Sequence, residues 1–125
     1  MKKIINTPNA PAPIGPYSQA VLSGNMLFVS GQVAFNPATG DLVMDTLEAE
    51  TTQVMQNLKA VLTEGGATFD NVVMTTIFLS NMDYFATVNS IYGTYFTADF
   101  PARATVAVKT LPKNAHVEIA VIAVI

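Results

Sequence analysis

One stretch decides the fold: Val117-Glu118-Ile119-Ala120-Val121-Ile122-Ala123-Val124-Ile125. Apart from one glutamate, its residues are apolar and mostly β-branched, which is typical of a strand that is buried on both faces of a sheet. We therefore expect a strand from Val117 to Val124 that lies inside a sheet covered on both sides. Glu118 is the exception, because a charge that enters such a setting must be paired or shifted in pKa.

Outward from this strand, the hydrophobic pattern predicts further strands at residues 19–22, 26–29, 72–79 and 104–108, and two helices. The first helix runs from Leu47 to Glu64 and stops at Gly65-Gly66. Ser80 and Asp83 form a capping-box pattern that opens the second helix. Its predicted apolar face carries Phe85, Val88, Tyr92, Tyr95 and Phe96. The proline-rich segment 7–16 is expected to be extended, and residues 36–41 to form a surface turn.

These elements predict one α+β domain over residues 1–125, a mixed sheet with two helices on one face. Two helices cover only one face of a sheet, so the other face should meet sister subunits in a symmetric oligomer. The composition agrees, since 50% of the residues are hydrophobic and only 12% are charged. That balance is rich for a monomer of 125 residues, whose surface-to-volume ratio leaves much of the chain in water.

Composition also disfavours several classes of function. The net charge of −3 provides no basic field for phosphates, so nucleic-acid binding is disfavoured. The absence of cysteine excludes a disulfide framework and a thiolate nucleophile, and a single histidine excludes a multi-histidine metal site within one chain. The longest apolar run, Ile119 to Ile125, is too short to span a bilayer, and a cytoplasmic location is expected.

Two charged residues do not fit their apolar surroundings. Glu118 is the only charge in its strand, and Arg103, the only arginine, immediately precedes the apolar strand at 104–108. A guanidinium presents a planar fork that suits a carboxylate, and a desolvated glutamate is a natural general acid or base. Alternatively, Arg103 and Glu118 pair with each other or sit at exposed strand ends. From the residues alone, the two readings are an anion site and a structural ion pair.

Five segments resemble the Rid (YjgF-like) family, in the right order and over essentially the whole chain. They are Ile14-Gly15-Pro16-Tyr17-Ser18-Gln19, Val29-Ser30-Gly31-Gln32, Phe85-Ala86-Thr87-Val88-Asn89, Phe100-Pro101-Ala102-Arg103-Ala104, and Leu111-Pro112-Lys113 followed by Val117-Glu118-Ile119. The resemblance implies a chorismate-mutase-like α+β fold. It also implies a homotrimer whose sheets pack inward, with ligand clefts between subunits.

The resemblance also assigns roles to residues. It implies that Arg103 binds the substrate carboxylate and that Glu118 positions or activates the hydrolytic water. The remaining residues that match pocket positions of the family are Tyr17, Ser30, Gly31 and Asn89, and Thr105 occupies a further pocket position. Thr105 departs from the cysteine that many members carry there, which removes any role for a thiol. His116 is expected to be exposed beside a turn and receives no role.

The function implied is hydrolysis of 2-iminobutanoate and 2-iminopropanoate to 2-keto acid and ammonia, without a metal or organic cofactor. Arg103 would clamp the carboxylate, and Glu118 would take a proton from water and return one to the leaving nitrogen. Tyr17, Ser30 and backbone groups near Gly31 and Thr105 would hold the substrate or the developing charge. The alternative is a non-catalytic module that binds 2-keto acids and regulates amino-acid metabolism. An RNA-directed activity is disfavoured by the charge.

Overall fold

A six-stranded mixed sheet forms the centre of the molecule in the computed structural model, which describes residues 1–125. The strands are β1 (Lys2–Ile5), β2 (Ala20–Ser23), β3 (Met26–Gln32), β4 (Val72–Leu79), β5 (Ala102–Ala107) and β6 (Val117–Val124). Their order across the sheet is β1-β2-β3-β6-β4-β5. Only β4 and β5 run parallel, and every other neighbouring pair is antiparallel. The decisive strand β6 therefore lies inside the sheet, as its composition predicts.

Two helices pack on one face of this sheet, α1 (Leu47–Glu64) and α2 (Phe85–Gly93). Helix α1 begins where the sequence places it, because the Thr46 hydroxyl caps it by accepting a hydrogen bond of 3.0 Å from the Ala49 N–H. It ends at Gly65, and Gly66 follows with a φ of +83°, a conformation that glycine adopts without strain. The α+β architecture is thus the one predicted. No helix of the structure is long and apolar enough to cross a membrane.

The two faces of the sheet differ in their cover. Along β6, Val117, Ile119, Val121 and Ala123 are buried under the helices, whereas the residues between them are only half-buried on the opposite face. That opposite face exposes apolar side chains, among them Phe28 at 41% and Val106 at 44%. Large apolar groups left open over a sheet face usually mark an interface. Within this chain, nothing equivalent to the two helices covers them.

The N-terminal strand was not predicted. Lys2–Ile5 pairs with β2 at the edge of the sheet, and only Ile5 of its four residues is buried. An edge strand that contacts the core through one side chain carries no alternation that a sequence pattern can reveal. The fifth strand is also displaced, since β5 spans Ala102–Ala107 instead of residues 104–108.

The predicted capping box of the second helix is wrong. Asn81, not Ser80, is the cap, and its side-chain oxygen accepts a hydrogen bond of 2.8 Å from the Asp83 N–H. This cap opens a 3₁₀ turn over Met82–Tyr84, and α2 follows directly from it. Adjacent serine and asparagine residues both favour N-caps, so the pattern alone could not separate them. Tyr95 and Phe96 lie beyond the helix end, although Phe96 still packs on Tyr92 at 4.8 Å between ring centroids.

Candidate functional site

Glu118 lies on the open face of the sheet, against the backbone of Gly31 on the neighbouring strand β3. The pairing of β3 with β6 is interrupted by a bulge between Val29 and Gln32, and Gly31 lies within it. A methyl group at Gly31 would overlap the Glu118 Oε2 and would lie 2.9 Å from its Cδ and 3.1 Å from its Cγ. Glycine at position 31 therefore makes the space that the Glu118 carboxyl occupies.

Burial raises the pKa of the Glu118 carboxyl above its ordinary value, because the ionised form loses solvation there. Glu118 makes no salt bridge with any lysine, arginine or histidine of this chain. A carboxyl group whose pKa is raised and that makes no salt bridge is better able to accept a proton from water and to return one. Glu118 therefore has the properties of a general acid or base.

A cavity of about 700 Å³ adjoins this carboxyl group. Its lining includes Tyr17, Gly31 and Glu118, and also Ile14, Phe35 and Lys113. Of the predicted site residues, the structure thus brings Tyr17, Gly31 and Glu118 together at one cavity. The lining is mixed, apolar on the side of Ile14 and Phe35, which suits a small ligand with a short apolar tail.

One wall of this cavity is the proline-rich N-terminal segment, and Gln19 holds it in place. The Gln19 side chain is buried, and its Nε2 donates to the carbonyl oxygens of Thr7 at 3.0 Å and Pro11 at 2.9 Å. Its Oε1 accepts a hydrogen bond of 2.7 Å from the Thr7 N–H. Prolines cannot donate backbone hydrogen bonds, so the segment depends on such side-chain contacts for a fixed position.

Ser30 precedes Gly31 on strand β3, but its hydroxyl already makes a hydrogen bond within the chain. It donates a hydrogen bond of 2.6 Å to the Ser18 carbonyl oxygen. Its side chain lines a second, mostly apolar depression on the open sheet face, which Phe28 and Ile122 also line. The hydroxyl oxygen still has acceptor capacity. The Ser30 hydroxyl could therefore accept a hydrogen bond from a ligand. It could donate one only if its bond to the Ser18 carbonyl oxygen broke.

Arg103 lies on the other face of the sheet, under helix α2. Its Nη1 donates a hydrogen bond of 2.7 Å to the Asn89 Oδ1. The guanidinium carbon lies 5.5 Å from the centre of the Phe85 ring and 5.2 Å from that of the Tyr92 ring, within cation–π range. The structure thus joins the predicted residues Arg103 and Asn89, and it adds two aromatic rings to which sequence reasoning gave no role in the site.

The pairing of strands β5, β4 and β6 places Arg103 and Glu118 on opposite faces of the sheet. Thr75 of β4 is paired with Arg103 on one side and with Val121 on the other, and paired residues point to the same side of a sheet. Val121 faces the helices, whereas Glu118, three positions before it, faces away. The reading in which Arg103 and Glu118 pair with each other is therefore wrong. Within one chain, the two groups cannot bind the same small ligand.

Thr105 lies on the same face as Arg103, two residues further along β5. Its Oγ1 is buried and is the one such side-chain oxygen or nitrogen without a hydrogen-bond partner in this structure. An unpaired buried hydroxyl costs folding free energy, about 1–3 kcal/mol. Thr105 thus carries an unsatisfied hydroxyl two residues from Arg103, and this hydroxyl is buried away from any ligand in this conformation.

Sequence reasoning also missed a buried charge. Glu50 is fully buried in the first turn of α1, where its Oε2 accepts a hydrogen bond of 2.8 Å from the His116 backbone N–H and its Oε1 lies 2.7 Å from the ring Nδ1 of His116. His116, expected to be exposed, is instead half-buried and packs its ring edge-on against Tyr84. The available signal was spacing, because Glu50 falls between Leu47 and Val54 on the apolar stripe of α1.

Known proteins similar to this chain agree on its family. The family described as endoribonuclease L-PSP matches residues 7–125. A mouse protein named 2-iminobutanoate/2-iminopropanoate deaminase is 47% identical over 99% of this chain and 92% of its own length. A Lactococcus lactis protein named as a regulator, AldR, is 48% identical over 97% of this chain and 96% of its own length.

Solved structures extend the agreement to the fold. A protein of the conserved Rid family from Yersinia pestis superimposes with a TM-score of 0.97 at 51% identity, covering 100% of both chains. Profile, sequence and fold match over nearly the full length, which no single motif could establish. The chain therefore belongs to the YjgF/Rid family.

Proposed function

We propose that this protein hydrolyses 2-iminobutanoate and 2-iminopropanoate, releasing ammonia and 2-oxobutanoate or pyruvate. The observation that carries the proposal is Glu118, a half-buried carboxyl with a raised pKa and no counter-ion beside a cavity. Such a group is suited to proton transfer with water. The deaminase name of the mouse relative supports the same reaction.

The active form we propose is a homotrimer, in which Arg103 of one subunit completes the cavity of the next. Two observations support this assembly. The sheet face that carries Glu118 exposes apolar side chains such as Phe28, and Arg103 lies on the opposite face of its own chain. A closed symmetric arrangement brings different faces of neighbouring subunits together at each interface. Trimer formation would then both bury the open sheet face and complete the site.

In the proposed mechanism, the Arg103 guanidinium binds the substrate carboxylate through the N–H groups that Asn89 leaves free. Glu118 accepts a proton from a water molecule as the water oxygen attacks the C=N carbon, which gives a tetrahedral carbinolamine. The protonated Glu118 returns this proton to the nitrogen, then takes the proton of the carbinolamine hydroxyl and transfers it to the nitrogen in turn, so that ammonia leaves as the C=O bond forms. Tyr17, an acceptor contact from Ser30, and backbone groups of Gly31 and Thr105 hold the substrate or the developing charge. The mechanism uses no metal or organic cofactor.

The test is to let a threonine dehydratase release the imine in the presence of semicarbazide, which traps it. Wild-type protein should suppress semicarbazone formation, and Arg103→Ala and Glu118→Ala should abolish that suppression. Glu48→Ala, which removes an exposed glutamate in the first turn of α1, is the matched control and should behave as wild type. Full trapping in the presence of folded wild-type protein would contradict the proposal.

The second candidate is a non-catalytic module that binds 2-keto acids, which the regulator name of the 48% identical relative favours. Both functions need Arg103 for the ligand carboxylate, but only hydrolysis needs Glu118. Binding of 2-oxobutanoate should therefore be measured in parallel by calorimetry. Wild-type protein that binds 2-oxobutanoate without shortening the imine lifetime would favour the second function.

A further inference from the structure

One face of helix α2 forms the surroundings of Arg103. Phe85, Asn89 and Tyr92 lie four and seven positions apart, a spacing that places them on one side of a helix. All three contact the Arg103 guanidinium, Asn89 by a hydrogen bond of 2.7 Å and the two rings at 5.5 and 5.2 Å from the guanidinium carbon. One face of a single helix therefore provides all three contacts to the guanidinium.

These contacts leave the charge of Arg103 available. Arg103 makes no salt bridge with any carboxylate of this chain. A carboxylate partner would hold a guanidinium firmly but would also occupy the N–H groups that a ligand needs. Aromatic faces attract the cation without occupying those N–H groups. Of the five N–H groups of an arginine, the bond to Asn89 occupies one.

The Tyr92 ring is itself fixed from below. It is 4% exposed, and its hydroxyl donates a hydrogen bond of 3.0 Å to the Thr75 Oγ1. Thr75 is fully buried and is the residue of β4 that pairs with Arg103. Thr75 therefore contacts both parts of this arrangement: its backbone pairs with the strand that carries Arg103, and its side chain holds the ring beneath the guanidinium. Phe85, by contrast, lies at the surface and is 36% exposed.

We propose that Phe85 and Tyr92 are positioning residues that hold the Arg103 guanidinium, uncompensated, in the orientation that receives the carboxylate of a 2-imino acid. This role rests on the proposed function. The loss of either ring should weaken carboxylate binding about 3- to 10-fold, the range of one cation–π contact. Because a carboxylate is held equally in the ground state and the transition state, KM should rise while kcat changes less than about 2-fold.

The first measurement uses the fact that Arg103 is the only arginine, so the protein has a single arginine Nε–H resonance. In the wild-type protein this resonance should be displaced by ring currents and have the order parameter of a rigid group. Phe85→Leu should return it toward the position of free arginine and lower its order parameter. A wild-type resonance at the free-arginine position, with the order parameter of a flexible side chain, would overturn the proposal.

The second measurement compares 2-oxobutanoate with its neutral amide, 2-oxobutanamide, as ligands of the intact protein. The Kd of the amide divided by the Kd of 2-oxobutanoate reports how strongly Arg103 favours a carboxylate over a neutral group. Phe85→Leu should lower that ratio about 3- to 10-fold. Tyr92→Phe, which keeps the ring and loses only the bond to Thr75, should lower it less. Tyr95→Leu is the matched control, because Tyr95 packs on Phe69 and is not among the rings over Arg103.

A merely structural role for these rings predicts a different pattern. Phe85→Leu would then lower the melting temperature, leave the ratio of Kd values unchanged, and match Tyr95→Leu in every readout; that result overturns the proposal. If the imine assay of the wild-type protein is negative while the arginine resonance is ordered and the ratio responds to Phe85→Leu, the hydrolase function fails and the positioning role stands.

Discussion

Gly31→Ala should remove most of the activity and leave the fold intact. The added methyl carbon would lie 2.9 Å from the Glu118 Cδ and would overlap its Oε2. Non-bonded carbon atoms pack at about 3.5–4.0 Å, so the carboxyl must move by roughly 0.6–1 Å or more. A displacement of about 1 Å in a catalytic group can reduce the rate about 100-fold. We therefore expect kcat/KM to fall about 100-fold.

Stability should respond weakly, because the overlapping atoms belong to the end of a half-buried, flexible side chain. Replacing glycine by alanine also restricts the unfolded chain, which offsets about 0.4–1 kcal/mol of any cost. The melting temperature should therefore stay within about 4 °C of wild type.

The assay combines the imine-trapping rate with thermal unfolding followed by circular dichroism. Gly93→Ala is the matched control, since a methyl group there meets nothing within 4 Å. A Gly31→Ala protein that keeps at least half of the wild-type kcat/KM would refute the reasoning that Glu118 must occupy this position. A drop of more than about 10 °C would refute the claim that only a side-chain end is displaced.

The remaining predictions concern buried polar groups. Burial raises the pKa of Glu118, so ionisation of this carboxyl destabilises the folded protein. Glu118→Gln should therefore have a higher melting temperature than wild type at pH 7. This difference in melting temperature should disappear as the pH falls below 4.5, the ordinary pKa of a glutamate. A gap that widens toward acid pH would contradict this sign. Glu50→Ala should destabilise the fold by about 2–4 kcal/mol in urea unfolding, because it opens a cavity and strands the His116 N–H. Thr105→Val should be neutral or stabilising by about 1 kcal/mol, because the hydroxyl has no partner. Thr75→Val should destabilise the fold by a similar amount, since it removes the hydrogen-bond partner of the Tyr92 hydroxyl. Equal effects of Thr105→Val and Thr75→Val in the same unfolding assay would contradict both predictions.

Sequence patterns predicted those parts of the fold that depend on local periodicity. Strand β6 and helix α1 were assigned with their observed bounds, because long apolar stripes and a glycine stop are visible in the sequence itself. Strand β1 was missed because only one of its residues is buried. The start of α2 was misplaced because serine and asparagine have similar preferences for the N-cap position, so the sequence does not separate Ser80 from Asn81.

The arrangement of the site could be predicted only in part. Both misfit charges were identified, but their faces depend on the register of β5 against β4 and of β4 against β6, which composition does not encode. The Glu50–His116 pair joins residues 66 positions apart, and no local pattern links them. The aromatic contacts of Arg103 likewise required the packing of α2 on the sheet.

The shared site can be tested most directly with hybrid trimers. Arg103→Ala and Glu118→Ala subunits carrying different tags would be co-expressed, and the assemblies that contain both would be purified through both tags. If each site takes Arg103 from one subunit and Glu118 from the next, one of the three sites in every hybrid trimer is intact. The hybrids should then suppress imine trapping with about one third of wild-type activity, although each parent is inactive. Hybrids as inactive as their parents would contradict a catalytic site built from two subunits.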